Sequence, residues 1–223
     1  MTAMTATPRP APKQARAQQT RDRLLDVAGG LLAEVGLERI STNLIAARAG
    51  VSPPALYRYF ADKYAVLEAL GHRLMDRQNV VLDRWIGRHA PAGIAAMADH
   101  IGDLLAANAA ITRAEPGAAW ILRALHASPQ LIHVRLESHR AVTDRLAAAC
   151  APYLPHLDPA ILWARLRLAV EIGFAADEML HEEDHIAADR LFADVAAMLR
   201  TALLDLDTPH PAASTLPFRR STL

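Results

Sequence analysis

The sequence has little cysteine and no long apolar run, and each shortage excludes a class of protein. Cys150 is the single cysteine, so an intramolecular disulfide framework is excluded. No apolar run approaches the roughly 18–20 residues that span a bilayer, and the N-terminus has no apolar signal core. We therefore expect a cytoplasmic protein that does not associate with membranes.

Aromatic residues and glycine are also scarce, whereas hydrophobic residues make up 52% of the 223-residue chain. This balance suits an all-α fold, and the apolar spacing predicts about nine helices, no convincing strand and no internal repeat. Glycine-rich phosphate loops, nucleophile elbows and Cys-x-x-Cys pairs are missing. His181 and His185 have a metal-binding spacing on a continuous helix, but their acidic surroundings favour a solvated turn. We expect no enzyme activity, metal or cofactor.

The formal net charge is zero, but the charges are unevenly distributed along the chain. Residues 1–75 carry ten Lys and Arg against six Asp and Glu, or +4, and the remainder carries fourteen against eighteen, or −4. A basic N-terminal third beside an acidic remainder is consistent with DNA binding at one end.

The segment from Ser41 to Lys63 has the signals of two short helices joined by a glycine turn. Ser41 supplies an N-cap oxygen for a helix over 42–49, and Gly50 allows the left-handed backbone of an abrupt helix end. A second short helix follows, and a third helix begins at Lys63. This arrangement is the helix-turn-helix plan, in which the second helix enters the DNA major groove.

The second short helix of this segment begins with two prolines. Ser52 is its predicted N-cap, and Pro53 and Pro54 fill the first turn, where a missing amide hydrogen costs nothing. This helix is predicted to end near Phe60, and Asp62 is predicted to cap the next one.

The helix-turn-helix segment also carries a specific combination of residues. The combination is Ile45-Ala46, Ala49-Gly50-Val51-Ser52, Leu56-Tyr57-Arg58-Tyr59-Phe60 and Asp62-Lys63. It closely resembles the DNA-binding domain of the tetracycline-repressor (TetR) family of bacterial transcription regulators, over roughly residues 20–75. A helical hairpin that does not bind DNA is the alternative interpretation.

The resemblance and the apolar spacing divide the chain into segments. Residues 1–18 are predicted to be disordered, either as a basic arm that touches DNA or as an inert tail. Residues 19–62 are the predicted DNA-binding domain, and 63–206 are the ligand-binding and dimerisation domain. A linking helix over 63–88 would join the two, and 207–223 would be a flexible tail.

Within these domains, further helices are predicted from apolar spacing, prolines and caps. Gly29 and Gly30 lie inside the first of them, where each costs up to about 1 kcal/mol relative to alanine. Close packing against a neighbouring helix would explain both glycines. The predicted helices outside the helix-turn-helix segment cover 20–36, 63–88, 94–111, a shorter stretch from 116, 128–153, 159–180 and 185–206.

The resemblance implies two kinds of DNA contact. Phosphates would be bound by the helix N-terminus at Thr42 and Asn43 and by side chains that include Tyr57. Bases would be read by Pro53-Pro54-Ala55 and Tyr57, which offer mainly apolar contacts, so Arg58 or DNA shape would supplement the readout. The predicted DNA-binding set is Thr42, Asn43, Ser52, Pro53, Pro54, Ala55, Tyr57, Arg58, Tyr59 and Lys63.

The last two predicted helices are expected to form a homodimer. The first of them is apolar on nearly every face after Arg167, which indicates burial on more than one side. The resemblance implies that both helices pair with their two-fold mates in a four-helix bundle, and such a dimer would read a palindromic double-stranded operator. A buried intramolecular hairpin is the alternative.

Candidate ligand contacts are polar residues that interrupt apolar stripes, together with large apolar residues near them. Plain packing is the commoner role for each, and Glu171 would alternatively pair with Arg167 one helical turn earlier. The candidates are Gln78, Met97, Asn108, Trp120, His139, Thr143, Glu171 and Phe174.

These observations predict a homodimeric transcription regulator, a repressor that an apolar small molecule releases from its operator. One alternative is a DNA-binding regulator without such a ligand, controlled by a protein partner or by its own concentration. A filled C-terminal body would favour that alternative. Another is an enzyme or carrier that retains a helix-turn-helix, which would require ionisable groups converging in an accessible pocket.

Overall fold

A computed structural model describes residues 12–183 and 185–208 of the chain. Within these ranges every regular secondary-structure element is a helix, which confirms the predicted all-α class. None of the helices described is long and apolar enough to cross a membrane. The α-helices are α1 (Pro12–Arg39), α2 (Thr42–Ala49), α3 (Pro53–Tyr57), α4 (Lys63–His89), α5 (Ile94–Asp99), α6 (Ile101–Ala114), α7 (Ala118–Ala127), α8 (Ile132–Cys150), α9 (Pro159–Glu182) and α10 (Ala188–Leu204), with short 3-10 helices at Ala90–Ala92 and Ala151–Tyr153.

The protein has two hydrophobic cores, one packed against each half of α4. The first joins α1, α2 and α3 to the N-terminal half of α4 and is completed by α7, whose Ile121 and Leu125 are buried against it. The second joins the C-terminal half of α4 to α5, α6, α9 and α10, around residues such as Leu82 and Leu166. Because α4 contributes to both cores, it is the structural link between the helix-turn-helix and the rest of the chain.

The first helix is longer than the sequence predicts. It begins at Pro12, a residue type favoured in the first helical turn, and continues through good helix formers to Gly36. The prediction of disorder is therefore wrong for residues 12–18, and residues 1–11 lie outside the described part of the chain. Gly36 interrupts the helical backbone at φ 74°, as predicted from its position.

The single helix predicted over 94–111 is two helices that meet at His100. The indole nitrogen of Trp85 donates a hydrogen bond to the His100 carbonyl at 2.8 Å, and the backbone of His100 is non-helical. This long-range bond gives the carbonyl a partner outside its own helix, which compensates for the break.

The start of α8 also differs from the helix predicted over 128–153. The amide of Ser128 donates to the Ala124 carbonyl at 3.0 Å, so this residue closes α7. A turn follows, in which the Leu131 amide bonds to the Ser128 carbonyl, and α8 begins at Ile132. Similarly, α7 begins at Ala118, after Gly117, and α10 begins at Ala188.

Candidate DNA-binding surface and internal cavity

The turn between α2 and α3 is formed by local interactions that the sequence predicts. The Ser41 hydroxyl accepts a hydrogen bond from the Leu44 amide at 3.2 Å and caps α2. Gly50 ends α2 in the left-handed region at φ 67°, and the Val51 amide bonds to the Ala46 carbonyl at 3.0 Å. The chain therefore leaves α2 sharply and enters α3 after three residues.

Helix α3 is shorter than predicted, because it ends at Tyr57 and not near Phe60. The Tyr59 amide bonds to the Leu56 carbonyl at 2.9 Å, so the last turn tightens before the chain reaches Asp62. Ser52 precedes α3, but its side chain makes no capping hydrogen bond. The Asp62 carboxylate accepts from the Ala65 amide at 2.8 Å and caps α4 as predicted.

The first turn of α3 projects from the domain. Leu56 is fully buried and fixes α3 to the core, whereas Pro53 and Pro54 are exposed and Ala55 is half-buried. The outward surface of α3 therefore consists of two pyrrolidine rings and a methyl group, and it offers apolar contacts to whatever it meets.

A polar edge runs beside this apolar tip. The hydroxyls of Thr42, at the start of α2, and Tyr57, at the end of α3, are 3.1 Å apart. Tyr57 is 49% exposed although it is one of the largest side chains in the domain. Asn43 and Arg58 are also exposed on these helices, whereas Ser52 is exposed at the turn, and Tyr59 and Lys63 are half-buried.

Three arginines stabilise the helix-turn-helix from behind. Arg23 of α1 donates to the Ala49 carbonyl at the end of α2 at 2.9 Å, and Arg21 lies over the Phe60 ring at 5.5 Å. Arg48 forms two hydrogen bonds to the Glu34 carboxylate, at 2.9 and 2.8 Å. These bonds lower the pKa of Glu34, and they pair the Arg48 guanidinium with a carboxylate of the same domain.

A buried carboxylate connects the helix-turn-helix core to the C-terminal body. The Glu115 side chain, between α6 and α7, is fully buried and accepts hydrogen bonds from Arg73 at 3.1 and 2.6 Å and from Arg77. Arg73 also donates to Asp26 of α1 at 2.7 Å. Sequence reasoning missed Glu115, because its partners lie about forty positions away and no local spacing marks it.

An apolar cavity of about 90 Å³ lies inside the second core. Helices α4, α5, α6, α8, α9 and α10 all contribute to its wall. Most of the wall is apolar, and its polar residues are Gln78, Asn79, Asn108, Ser138 and Asp177. The remaining lining includes Leu82, Trp85, Met97, Leu105, Phe174 and Leu199.

A short hydrogen-bond chain lies behind the polar part of this wall. Gln78 donates to the Thr112 hydroxyl at 3.1 Å, and Thr112 donates to the Asp177 carboxylate at 2.9 Å. The side-chain oxygen of Asn108 is buried and has no hydrogen-bond partner. Buried polar atoms nearly always have partners, so this oxygen is an exception that calls for a physical explanation.

The predicted ligand contacts divide into two groups. Gln78, Met97, Asn108 and Phe174 are in the cavity wall. The other four candidates are not in the wall of this cavity, although Trp120 lines a second pocket between α1, α7 and α9; they are Trp120, His139, Thr143 and Glu171.

Trp120 is partly buried and packs against the first core. The Trp120 ring lies beside Gly36, and a Cβ added at Gly36 would be 3.2 Å from this ring. The Arg123 guanidinium lies over the same ring, 5.2 Å from its centroid. Trp120 therefore braces the bend in α1.

His139, Thr143 and Glu171 form a bonded group between α8 and α9. Thr143 donates to the His139 carbonyl at 2.7 Å, and the His139 ring stacks on Phe174 with centroids 4.1 Å apart. Glu171 is bonded to His139 at 3.2 Å and to Arg167, the partner suggested by its helical spacing. The polar groups of His139, Thr143 and Glu171 are hydrogen-bonded within this group. Of the residues in contact here, Phe174 lines the cavity.

Burial lowers the pKa of His139 from 6.5 to about 4, because desolvation of the imidazolium outweighs the attraction of Glu171. The folded protein thus keeps His139 neutral at pH values where the unfolded chain binds a proton. Stability from this group is complete above pH 6.5 and is lost as the pH falls towards 4.

We expect the free energy of unfolding to fall, between pH 7 and pH 5, by about 2 kcal/mol more in the wild-type protein than in His139→Gln. Urea titrations followed by circular dichroism at each pH measure the difference. His185→Gln, which removes an exposed imidazole, should retain the wild-type pH dependence. Parallel curves for wild type and His139→Gln would disprove the assignment.

Asp177 is a cavity residue that sequence reasoning missed. It stands beside Glu178 near the end of an apolar helix, a position that suggests a solvated acidic turn. Its position along α9 places it on the cavity side of the helix, because it lies three positions after Phe174 and four after Gly173, which both line the cavity.

Helices α9 and α10 present large apolar side chains to solvent. Leu168 is 63% exposed and Met198 is 59% exposed, while residues such as Leu166 on the opposite side of α9 are buried. We name this surface the α9–α10 face. It comprises Ile161, Leu168, Met179, Met198 and Leu204.

The predicted metal spacing of His181 and His185 does not lie on a continuous helix, because α9 ends at Glu182. The side chains of His181, Glu182 and Asp184 are outside the described part of the chain. Among the side chains that are described, no three His, Cys, Asp or Glu residues are grouped as a metal site would require.

Comparison with known sequences matches the helix-turn-helix region. Residues 24–70 match the profile of bacterial regulatory proteins of the tetR family. The nucleoid occlusion factor SlmA of Haemophilus ducreyi is 41% identical over 58 residues, 26% of this chain and 29% of SlmA. The tetracycline repressor protein class C of Escherichia coli is 40% identical over 55 residues, 25% of each chain. The chain thus aligns with less than a third of the length of these relatives.

Comparison with solved structures extends the similarity to most of the fold. A TetR-family transcriptional regulator from Streptomyces coelicolor superposes with a TM-score of 0.59 at 25% identity, over 84% of this chain and 99% of that one. The SmeT–triclosan complex superposes with a TM-score of 0.57 at 22% identity, over 90% of this chain and 100% of that one. The helix-turn-helix match and the shared fold lead to one conclusion: the chain carries a DNA-binding domain of the tetR family of bacterial regulatory proteins and has the fold of TetR-family regulators.

Proposed function

We propose that this protein is a cytoplasmic, homodimeric transcriptional repressor that an apolar small molecule releases from its operator. One observation carries the proposal: α4 begins at the helix-turn-helix and then lines the internal cavity. A ligand that changes the position of α4 would therefore change the position of the DNA-reading helix.

The exposed tip and edge of the helix-turn-helix support DNA binding. In this proposal Thr42, Asn43, Tyr57, Tyr59 and Lys63 bind phosphates and set the register. The remaining predicted contacts face the bases or the groove wall, with apolar contacts to thymine methyl groups as the main direct readout. These remaining residues are Ser52, Pro53, Pro54, Ala55 and Arg58.

The α9–α10 face supports a homodimer. Its large apolar side chains would be buried by the same face of a second copy, as a two-fold interface requires. Such a dimer would present two copies of α3 to successive major grooves of a palindromic double-stranded operator.

The cavity supports control by a small molecule. A ligand shifts the protein between two states only through a difference in affinity, and a coupling of about 1–3 kcal/mol is typical. The SmeT–triclosan complex is a protein of similar fold in complex with triclosan. The alternative without a small-molecule ligand is favoured by a filled body, whereas this body contains a cavity.

Screening for release of DNA tests this function. Genomic fragments bound by the purified protein would be labelled, and their anisotropy measured against a library of apolar compounds. We expect some compounds to lower the affinity for DNA and to bind the free protein. Unchanged DNA affinity across a broad library would contradict control by an apolar ligand.

We expect Tyr57→Ala to weaken DNA binding about tenfold, because it removes a phosphate contact and the apolar ring beside it. Anisotropy titration measures the loss, and sedimentation should show an unchanged oligomer. Tyr57→Phe, which removes only the hydroxyl, should have a smaller effect. Wild-type affinity for Tyr57→Ala would contradict the placement of the recognition helix.

We expect Leu168→Asp to weaken dimerisation at least about 30-fold, because it places a charge at the most exposed apolar position of the α9–α10 face. Sedimentation equilibrium measures the dissociation constant. The matched control is Val80→Asp on α4, which is 47% exposed and outside this face. Equal dimerisation of the two variants would contradict the proposed interface.

A further inference from the structure

One side-chain oxygen in the described part of the cavity wall is buried without a hydrogen-bond partner, and it belongs to Asn108. The backbone carbonyl of the same residue accepts from the Thr112 hydroxyl at 3.2 Å, so the missing partner concerns the side-chain amide. A buried acceptor without a donor is destabilising. A ligand that brings a donor to this oxygen would recover the lost free energy.

The polar groups next to Asn108 are already bonded to one another. Gln78 donates to the Thr112 hydroxyl at 3.1 Å, and Thr112 donates to the Asp177 carboxylate at 2.9 Å. Asp177 also has an interaction partner besides Thr112. A cationic ligand would therefore have to compete for a carboxylate that already has partners.

The rest of the polar wall consists of uncharged groups that both donate and accept hydrogen bonds. Asn79 contributes an amide and Ser138 a hydroxyl. None of the described residues that line the cavity is Lys, Arg or His. An anionic ligand would lose its hydration without meeting a cation in the wall. The wall thus favours an uncharged ligand over an ion of either sign.

The volume of the cavity, about 90 Å³, sets the scale of the ligand. An apolar cavity of about 150 Å³ is enough to hold benzene. A ligand larger than a single ring would therefore have to widen this cavity and displace helices of its wall. The apolar part of such a ligand would contact Trp85, Met97 and Phe174.

We propose that the effector is an uncharged, mainly apolar ring compound with a hydroxyl group, which donates a hydrogen bond to the side-chain oxygen of Asn108. A hydroxyl suits this wall because its hydrogen satisfies Asn108, while its oxygen can accept from an uncharged donor of the same wall. This inference rests on the proposed function, because it assumes that the cavity is the effector site.

Four probes with one benzene ring test the polar group: phenol, toluene, benzoate and benzylamine. Toluene replaces the hydroxyl of phenol by a methyl group of similar size, whereas benzoate and benzylamine are charged at neutral pH. Chemical-shift titration of the isotope-labelled full chain measures the dissociation constants. We expect phenol to bind at least about tenfold more tightly than either charged probe.

The variant Asn108→Leu assigns this preference to the named oxygen. The affinity of phenol relative to that of toluene should fall at least about tenfold, because the variant removes the acceptor and changes the apolar wall for both probes alike. Gln130→Leu, which removes an exposed amide from the turn before α8, should retain the wild-type ratio. Thermal unfolding confirms that each variant is folded, and the comparison of charged with uncharged probes needs no variant.

The outcomes separate this inference from the proposed function, with the release of bound genomic DNA measured by anisotropy at saturating phenol. Equal binding of a charged probe, or an unchanged ratio of phenol to toluene in Asn108→Leu, would overturn the hydroxyl assignment while leaving the cavity as the effector site. Failure of all four probes to bind would overturn both. Binding of phenol that depends on Asn108 but releases no DNA would support the hydroxyl site and contradict the proposed control of DNA binding.

Discussion

Glu115→Ala is expected to lower the free energy of unfolding by about 3 kcal/mol, the lower end of the range for breaking a buried ion pair. The Glu115 side chain is fully buried, and its removal leaves two guanidinium groups without their shared carboxylate. The loss stays at the lower end because Arg73 retains Asp26 and Arg77 is half-exposed to water.

Urea unfolding followed by circular dichroism measures this effect. Glu137→Ala, which truncates an exposed glutamate on α8, is the matched control and should change stability by less than about 0.5 kcal/mol. Similar stabilities for the two variants would show that the Glu115 cluster contributes little. Because this cluster joins α1, α4 and the α6–α7 corner, its loss should also loosen the helix-turn-helix relative to the body.

Gly117→Ala is expected to destabilise the protein by about 2 kcal/mol or more. Gly117 has φ 76°, which is strained for alanine, and an added Cβ would lie 2.8 Å from the Gly29 carbonyl and 3.1 Å from Leu32 Cβ. The atom in the way is backbone, so either the α6–α7 corner or α1 must shift.

Two glycines in α1 are natural controls for Gly117. At Gly30 an added Cβ meets nothing within 4 Å, so Gly30→Ala should stabilise by up to about 1 kcal/mol. At Gly29 the Cβ would lie 3.0 Å from the Pro116 carbonyl, which should cancel that gain. Thermal unfolding of the three variants ranks them, and a Gly117→Ala variant as stable as Gly30→Ala would contradict the close contact.

The helix-turn-helix was predictable because its signals are local. The Ser41 cap, the left-handed Gly50 and the Asp62 cap are decided within a few residues, and all three are in the structure as expected. The break at His100 was not predictable, because it depends on a hydrogen bond from Trp85, fifteen residues earlier in the chain. The close approach that the sequence suggested for both adjacent glycines exists at Gly29 and not at Gly30.

The cavity was only partly predictable, because a polar residue in an apolar stripe can either line a cavity or bond to other side chains in the core. Gln78 and Asn108 interrupt such stripes and line the cavity, whereas His139 and Thr143 do the same and are satisfied by each other and by Glu171. The spacing along one helix cannot distinguish these cases, because the distinction depends on which neighbouring helix supplies a partner.

Selection of genomic fragments bound by the full chain, performed in parallel with Tyr57→Ala, tests the central claim most directly. We predict enrichment of a palindromic site whose half-sites lie about 34–36 Å apart or a multiple of this distance, as two copies of α3 on one face of DNA require. The Tyr57→Ala variant should recover much less of the same site. No enrichment, or a site without two-fold symmetry, would contradict a dimeric repressor that reads DNA through α3.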